Sequence, residues 1–139
     1  MDINVHLDRT EKDITQDHFV VGVDDLSFRK LQTPEGSRAE VRAKIEFFDD
    51  SVLHFFEQVE TGRCYPQVIK YAFVYERNNQ QVFRYDNKPD HNELSTHPHH
   101  KHVGNGETET IEPAIYPNHS NLLEEIHQII RANLYSART

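Results

Sequence analysis

The stretch AEVRAKIEFFDDSVLHFFEQV, residues 39–59, decides the fold of this chain. From Val41 to Phe47 apolar residues alternate with charged ones, which is the period-two pattern of a strand with one dry face and one wet face. The polar group Asp49-Asp50-Ser51 interrupts this pattern, and a second aromatic and β-branched run follows over residues 52–59. Two such runs joined by a short polar turn predict an antiparallel hairpin.

Further strands are predicted on both sides of the hairpin. Residues 19–28 and 68–75 are rich in apolar, β-branched and aromatic side chains, Asn78-Asn79 marks a turn, and residues 81–85 form a last short run. Short connections between neighbouring runs favour a meander in which sequential strands pair. We therefore predict an α+β fold in which residues 18–85 form an antiparallel sheet of four to five strands.

The C-terminal segment has the periodicity of a helix. Apolar residues recur along one side of residues 121–134, namely Leu122, Leu123, Ile126, Ile129 and Ile130. Asn121, followed three residues later by Glu124, is a typical helix cap. We predict that this helix packs on one face of the sheet. Residues 1–17 alternate only weakly, which predicts a short edge strand or a frayed end.

Length and composition limit the class of protein. The 139 residues fit one domain, and a net charge of -8 argues against a surface that coats nucleic acid broadly. Residues 61–103 are locally cationic, with six Lys and Arg against four Asp and Glu. Cys64 is the single cysteine, so no disulfide framework is expected. Without an apolar leader or a membrane-length run, we expect a cytoplasmic protein that has no membrane partner.

The segment RYDNKPDHNELSTHPHHKH, residues 84–102, is the predicted functional centre. Arg84 and Asp86 are two residues apart at the end of the last strand, so both point to one face. Residues 86–117 contain four prolines and few apolar side chains, which predicts a long loop without regular structure. Five histidines lie in this loop: His91, His97, His99, His100 and His102.

One chemistry that fits this set is metal-independent cleavage of a phosphodiester. Such a reaction needs a base, an acid and a cation that stabilises the developing phosphorane charge. Histidine serves as base and acid because it titrates near neutral pH. Arg84 and Lys101 are the candidate cations, and Asp86 is a candidate for fixing the tautomer of one imidazole.

Two other interpretations use the same residues. His99 and His102, with Asp86 or His91, offer ligands suited to zinc, nickel or manganese. The loop could also be a solvated polar segment that carries many histidines. The motif alone leaves this choice open, because histidines at irregular spacing are a weak signal.

We predict that the site works without a metal and without another cofactor. His99 and His100 are neighbours on an extended segment, so they point to opposite sides and do not easily share an ion. Arg84 and Lys101 lie in the same motif, and adjacent cations disfavour a divalent metal. If a metal is bound, the predicted ligands are Asp86, His100 and His102.

Other polar residues are assigned to the surface or to the edge of the core. Glu46 and Glu57 lie on the predicted hairpin, where exposed strand faces commonly carry charge. The remaining histidines are scattered along the chain: His6, His18, His54, His119 and His127. None of these residues is predicted to belong to a site.

The functional segment also carries a family resemblance. The matching residues are Phe83-Arg84-Tyr85-Asp86-Asn87, Pro89, His91, Glu93-Leu94 and Pro98-His99-His100-Lys101-His102. They resemble the signature of the TumE-like toxins of bacterial toxin–antitoxin systems. The likeness extends over roughly residues 19–132 and is specific in residues 83–102.

Three positions depart from the family pattern. His97 stands where the family usually has an aromatic residue, Asp90 replaces the first of two adjacent histidines, and Asp50 replaces a glycine. No catalytic role is therefore transferred to His97. The resemblance implies a small toxin that is neutralised by a cognate antitoxin, often a helix-turn-helix protein. RNA is the expected substrate because small bacterial α+β toxins are most often ribonucleases; the resemblance itself does not specify the reaction.

These observations combine into one functional prediction with two alternatives. We expect a metal-independent endoribonuclease toxin that uses histidine acid–base catalysis. Its expected partners are a cognate antitoxin and RNA, and the sequence is compatible with a homodimer. The predicted catalytic residues are Arg84, Asp86, His91, His99, His100, Lys101 and His102. The alternatives are a non-enzymatic protein-binding module and a metal-dependent phosphodiesterase.

Overall fold

The computed structural model describes residues 3–34, 36–61 and 66–138. Within these residues, seven strands form one antiparallel sheet in the order β1 to β7, accompanied by two α-helices and a short 3₁₀ helix at Gly106–Thr108. The elements are α1 (Ile3–Thr15), β1 (Val20–Thr33), β2 (Gly36–Phe47), β3 (Val52–Thr61), β4 (Gln67–Arg77), β5 (Gln80–Asp86), β6 (His100–Val103), β7 (Thr110–Pro113) and α2 (His119–Arg138). The predicted α+β class and the antiparallel meander are confirmed.

The predicted hairpin is formed by β2 and β3. Ala43 pairs with Phe55 and Ile45 pairs with Leu53, so buried residues of one strand lie opposite buried residues of the other. Asp50 in the connecting turn has a left-handed backbone (φ 69°). Glycine is preferred at such a position and aspartate tolerates it, which explains how this chain departs from the family pattern there.

The predicted number of four to five strands is wrong, because β6 and β7 lie in the segment expected to lack regular structure. Each has four residues, and both are held by backbone pairing in series: β6 pairs with β5, and β7 pairs with β6. Strands this short and polar carry too few apolar residues to show a clear period-two pattern. Their partners, not their own composition, determine that they are strands.

The predicted edge strand at the N-terminus is also wrong, since α1 is a helix of 13 residues. Its buried residues are Ile3, Leu7, Thr10 and Ile14, spaced four, three and four apart. This spacing places them on one helical face, which packs in the common core. The alternation of Ile3, Val5 and Leu7 is therefore incidental, and Val5 is exposed.

The predicted C-terminal helix is confirmed, but it begins earlier than expected. Asn118 caps α2, because its Oδ1 accepts a hydrogen bond of 2.8 Å from the backbone N–H of Asn121. The predicted cap at Asn121 is wrong. The helix buries four of the five predicted residues in the core, Leu122, Leu123, Ile126 and Ile130, and Ile129 is partly buried.

The sheet has one face toward the helices and one face open. Phe83 and Tyr85 of β5 point into the helix-side core, as predicted, so Arg84 and Asp86 point to the open face. None of the described helices has the length and apolar content that a membrane span requires. Cys64 lies outside the described residues.

Candidate functional site

The pairing of β5 with β6 assembles the site on the open face of the sheet. Arg84 lies opposite His102, and Asp86 lies opposite His100. Directly opposite residues share a face, so all four side chains project to the same side. The loop between the strands adds a third ring, since the centroid of His91 is 5.1 Å from that of His100 and 5.9 Å from that of His102.

We call the resulting group the Asp86 cluster, and it consists of Asp86, Asp90, His91, His100 and His102. The side chain of Asp86 is buried at its centre. Its Oδ2 accepts a hydrogen bond from Arg84 Nε (2.8 Å), and its Oδ1 accepts one from the backbone N–H of Lys88 (3.0 Å). The same carboxylate lies 2.9 Å from His100 Nε2 and 3.5 Å from His102 Nε2.

His100 is the most deeply buried ring of the cluster, with 1% of its surface exposed. Its Nδ1 donates to the backbone carbonyl of Pro98 (2.9 Å), which places a proton on that nitrogen. Its Nε2 faces Asp86 Oδ1 (2.9 Å) and Asp90 Oδ1 (3.6 Å). Among the described residues, Nε2 makes no hydrogen bond of acceptable geometry to either carboxylate.

His91 and His102 repeat this orientation. His102 Nδ1 lies 2.5 Å from Glu109 Oε1, while its Nε2 faces Asp86. His91 Nδ1 lies 3.5 Å from Glu93 Oε1, while its Nε2 lies 3.6 Å from Asp90 Oδ1. In all three rings Nε2 points to a carboxylate of the cluster and Nδ1 lies near an outer acceptor. Only the Nδ1 contact of His100 is a hydrogen bond of good geometry, since among the described residues His102 Nδ1 has no hydrogen-bond partner.

Two predicted site residues, Lys101 and His99, point away from the cluster. Lys101 is on the helix side of β6, where its Nζ is 2.7 Å from Glu125 Oε2 and 5.2 Å from the ring centroid of Phe83. His99 precedes β6, and its Nδ1 is 2.9 Å from the hydroxyl of Tyr71. Because side chains alternate along a strand, Lys101, which lies between His100 and His102, faces the opposite side of β6.

The charge of the site is dominated by carboxylates. Asp86 and Asp90 lie inside the cluster, and Glu93 and Glu109 lie at its edge. Among the described residues, Arg84 is the one Lys or Arg whose side chain forms an ion pair with these carboxylates, and its partner is Asp86. The site therefore attracts cations.

A second polar group was missed by the sequence analysis. Glu57 of β3 is 0% exposed, and its carboxylate accepts hydrogen bonds from His6 Nε2 (2.7 Å), His119 Nε2 (3.0 Å) and the hydroxyl of Tyr116 (2.6 Å). Burial alone raises the pKa of Glu57, but the hydrogen bonds from His119, His6 and Tyr116 lower the pKa to about 2. The expected surface position of Glu57 is wrong.

A signal for this second group was present in the sequence. Glu57 is in phase with Leu53, Phe55 and Val59, which are the buried residues of β3. A carboxylate in a core position requires buried hydrogen-bond donors. The sequence does not show which histidines supply them, because His6 and His119 are 51 and 62 residues away.

A comparison with known families shows what kind of protein this is. The family model described as Toxin TumE matches residues 10–134. The chain belongs to the TumE toxin family. The match includes every residue of the Asp86 cluster and confirms the resemblance that residues 83–102 predicted. No curated protein and no solved structure matches the chain.

Membership in the TumE family supports a toxin role for this protein. The family match contains Glu57, Tyr116 and His119 as well, whereas His6 lies before its first residue. The family assignment by itself names no reaction, so the chemistry has to be argued from the residues of this chain.

Proposed function

We propose that this TumE-family toxin is a ribonuclease and that the Asp86 cluster is its cleavage site. The observation that supports this most directly is that Arg84, His100 and His102 converge on the buried carboxylate of Asp86, on the face of the sheet opposite α1 and α2. The ring of His91 lies beside those of His100 and His102. Groups that exchange protons near neutral pH and a cation that binds phosphate are the parts that phosphodiester cleavage needs.

The reaction assigns separate roles to the residues according to their exposure. The 2′-oxygen of RNA loses its proton to one partly exposed imidazole and attacks the phosphorus, and the 5′-oxygen leaves with a proton from another. His91 and His102 are the partly exposed rings, and His100 is buried. The products are a 2′,3′-cyclic phosphate and a 5′-hydroxyl end.

Arg84 and Asp86 support this reaction. The Arg84 side chain is 40% exposed, so its guanidinium can contact a phosphate while Nε stays bonded to Asp86. Asp86 orients the neighbouring imidazoles. Lys101 receives no role, because it faces the helix side and pairs with Glu125.

The toxin acts in the cytoplasm, where RNA is available, and a cognate antitoxin neutralises it. Family membership supports this part of the proposal.

A metal-dependent phosphodiesterase is the second candidate, and one observation favours it over the metal-free form. The cluster holds more carboxylates than cations, whereas a metal-free phosphate site needs a cationic surrounding. A bound divalent ion would reverse this balance.

The proposal is tested by mapping cellular RNA ends after brief expression. We expect growth arrest and new RNA 5′ ends for the original chain and for the His54→Ala control, whose histidine is 47% exposed on β3. Both effects should disappear in an Arg84→Ala, His102→Ala double variant. Growth arrest without new RNA ends would instead support a non-enzymatic protein-binding module and reject the ribonuclease.

A further inference from the structure

We infer that the Asp86 cluster binds one divalent transition-metal ion through Nε2 of His91, His100 and His102 and the carboxylate of Asp86. The inference rests on the proposed function, RNA cleavage at this site, and names its cofactor. It replaces the acid–base roles given above to His91 and His102, because an imidazole that binds a metal through Nε2 and carries its proton on Nδ1 no longer acts as base or acid. It replaces the metal-free expectation that the sequence favoured. Four features of the described residues carry it: ring orientation, an unpaired nitrogen, distance and charge.

The orientation of the three rings is that of metal-binding histidines. A histidine that ligates a metal commonly donates its other ring N–H to a carbonyl or carboxylate, which fixes the tautomer and leaves one lone pair for the ion. His100 follows this pattern, because its Nδ1 donates to Pro98 O. The Nδ1 atoms of His91 and His102 lie near Glu93 (3.5 Å) and Glu109 (2.5 Å), although among the described residues His102 Nδ1 makes no hydrogen bond of acceptable geometry. The three Nε2 atoms all face the interior.

His100 shows why the interior requires a cation. With the proton on Nδ1, Nε2 of the neutral ring carries a lone pair, and this lone pair lies beside the carboxylates of Asp86 and Asp90. A proton on Nε2 would not repair this contact, because the geometry fits no hydrogen bond to either carboxylate. A buried convergence of acceptors is costly unless a cation lies between them.

The distances allow one ion to reach all three rings. One ring nitrogen from each of His91, His100 and His102 lies within 4.8 Å of the others. Three atoms at that separation have a common point at most about 2.8 Å from each, and zinc–nitrogen bonds are about 2.0–2.1 Å long. Movements of less than about 1 Å would therefore form the three bonds to nitrogen. The Asp86 carboxylate is not one of these mutually close atoms, but it lies 2.9 Å from His100 Nε2 and 3.5 Å from His102 Nε2 and is the fourth ligand that we infer.

The charge distribution removes the objection that the sequence raised against a metal. That objection depended on two cations, Arg84 and Lys101. Lys101 lies on the opposite face of β6, so of these two only Arg84 pairs with a carboxylate of the cluster. Three imidazole nitrogens and one carboxylate oxygen form a set typical of zinc and chemically suited to nickel or manganese. The ion would also reduce the negative charge that otherwise repels a phosphate.

The Glu57 group is a weaker metal site, although it also contains two histidines and a carboxylate. There His6 Nε2, His119 Nε2 and the Tyr116 hydroxyl all donate good hydrogen bonds to Glu57. The inward nitrogens thus carry protons, and the carboxylate is fully satisfied. A metal would have to displace this network.

Calorimetric titration of untagged, chelator-treated protein with Zn²⁺ tests the inference. We expect one equivalent per chain and a higher thermal unfolding midpoint with zinc. Affinity should fall at least tenfold in His91→Gln and in His102→Gln, and it should not change in His54→Gln, which controls for exposed histidines. Circular dichroism checks that each variant is folded. His91→Gln is less expected to disturb the fold than His102→Gln, because His91 lies in a loop and His102 lies on β6.

Two results would overturn the inference: no saturable zinc binding, or binding that survives in both ligand variants. Loss of binding in His6→Gln but not in His102→Gln would move the metal to the Glu57 group and also reject the assignment. RNA cleavage in excess chelator by a protein that binds no zinc would reject the metal and leave the ribonuclease. Stoichiometric zinc binding that depends on His102, in a protein that does not cleave RNA, would support the metal site and reject the ribonuclease.

Discussion

Glu57 is the residue through which distant segments are tied to the sheet. It lies on β3, while its donors come from α1 (His6), from the start of α2 (His119) and from the segment just before α2 (Tyr116). A buried carboxylate with three donors is stable only while those donors stay in place. Glu57 therefore links the position of both helices to the ionisation of one side chain.

The lowered pKa of Glu57 predicts a specific loss of stability in acid. Because the folded pKa of about 2 lies below the ordinary value of 4.5, the ionised carboxylate stabilises the fold above pH 4.5, and this contribution is lost as pH falls toward 2. A shift of this size corresponds to about 3 kcal/mol of unfolding free energy. Urea unfolding across this pH range measures it.

The matched control for this measurement is Glu57→Gln, which has nearly the same shape and does not titrate. Its unfolding free energy should be lower above pH 4.5 and should fall less steeply in acid than that of the original chain. Parallel pH profiles for the two proteins would show that Glu57 does not carry the effect.

Lys101 provides a second test at the level of single residues. Since its ammonium pairs with Glu125 and lies over the rings of Phe83 and Tyr85, we expect Lys101→Met to retain RNA cleavage and growth arrest. The variant should lose no more than about 1 kcal/mol of unfolding free energy, as for other partly exposed ion pairs. Arg84→Met is the comparison and should lose cleavage. A folded Lys101→Met protein without activity would restore Lys101 to the site.

Among the elements, α2 allows a direct test of where a helix begins. Asn118 accepts the capping hydrogen bond, so Asn118→Ala should lower the free energy of unfolding by about 1 kcal/mol. Asn121→Ala removes the residue that the sequence pattern indicated as the cap, and it should cost clearly less. Chemical denaturation of the two variants decides between the two positions, and equal losses would contradict the assignment.

The packing of α2 on the sheet is tested by two substitutions of the same type. Leu122 is 1% exposed and Leu134 is 44% exposed on the same helix. Leu122→Ala should cost about 2–5 kcal/mol, because it removes buried surface and leaves a cavity. Leu134→Ala should cost less than about 1 kcal/mol. Similar costs would mean that the helix does not dock as described.

At the scale of the whole molecule, the sheet separates stability from chemistry. The helices and the aromatic core occupy one face, and the Asp86 cluster occupies the other. β5 and β6 serve both faces, because alternate residues of the same strands point to the core and to the cluster. Substitutions on one side of these strands should therefore alter stability, and substitutions on the other side should alter activity.

The net charge of -8 predicts how salt affects association with the proposed antitoxin, if that partner is a basic, DNA-binding protein. Opposite charges accelerate encounter, and salt screens them. The association rate should fall at least about tenfold from low to high salt, while the dissociation rate changes less. Stopped-flow mixing measures both rates. An association rate that does not depend on salt would show that charge does not guide the partners together.

The sequence by itself determined the features that depend on local periodicity. The alternation from Val41 to Phe47 fixed the β2–β3 hairpin, and the stripe from Leu122 to Ile130 fixed α2 and its buried face. The spacing of Arg84 and Asp86 placed both on one face of β5. These features follow from the sequence because a strand and a helix repeat every 2 and about 3.6 residues whatever surrounds them.

Only the tertiary structure decided which distant residues meet. β6 and β7 are strands because β5 offers its edge, and the face of Lys101 follows from that pairing. Glu57 is buried because His6 and His119 reach it from both ends of the chain. The rings of His91, His100 and His102 likewise meet only because β6 pairs with β5 and the intervening loop returns His91 to the same face. Hydrogen bonds between distant segments, and the burial that accompanies them, produce no periodic pattern in the sequence. Which of these residues meet is therefore known only from the tertiary structure.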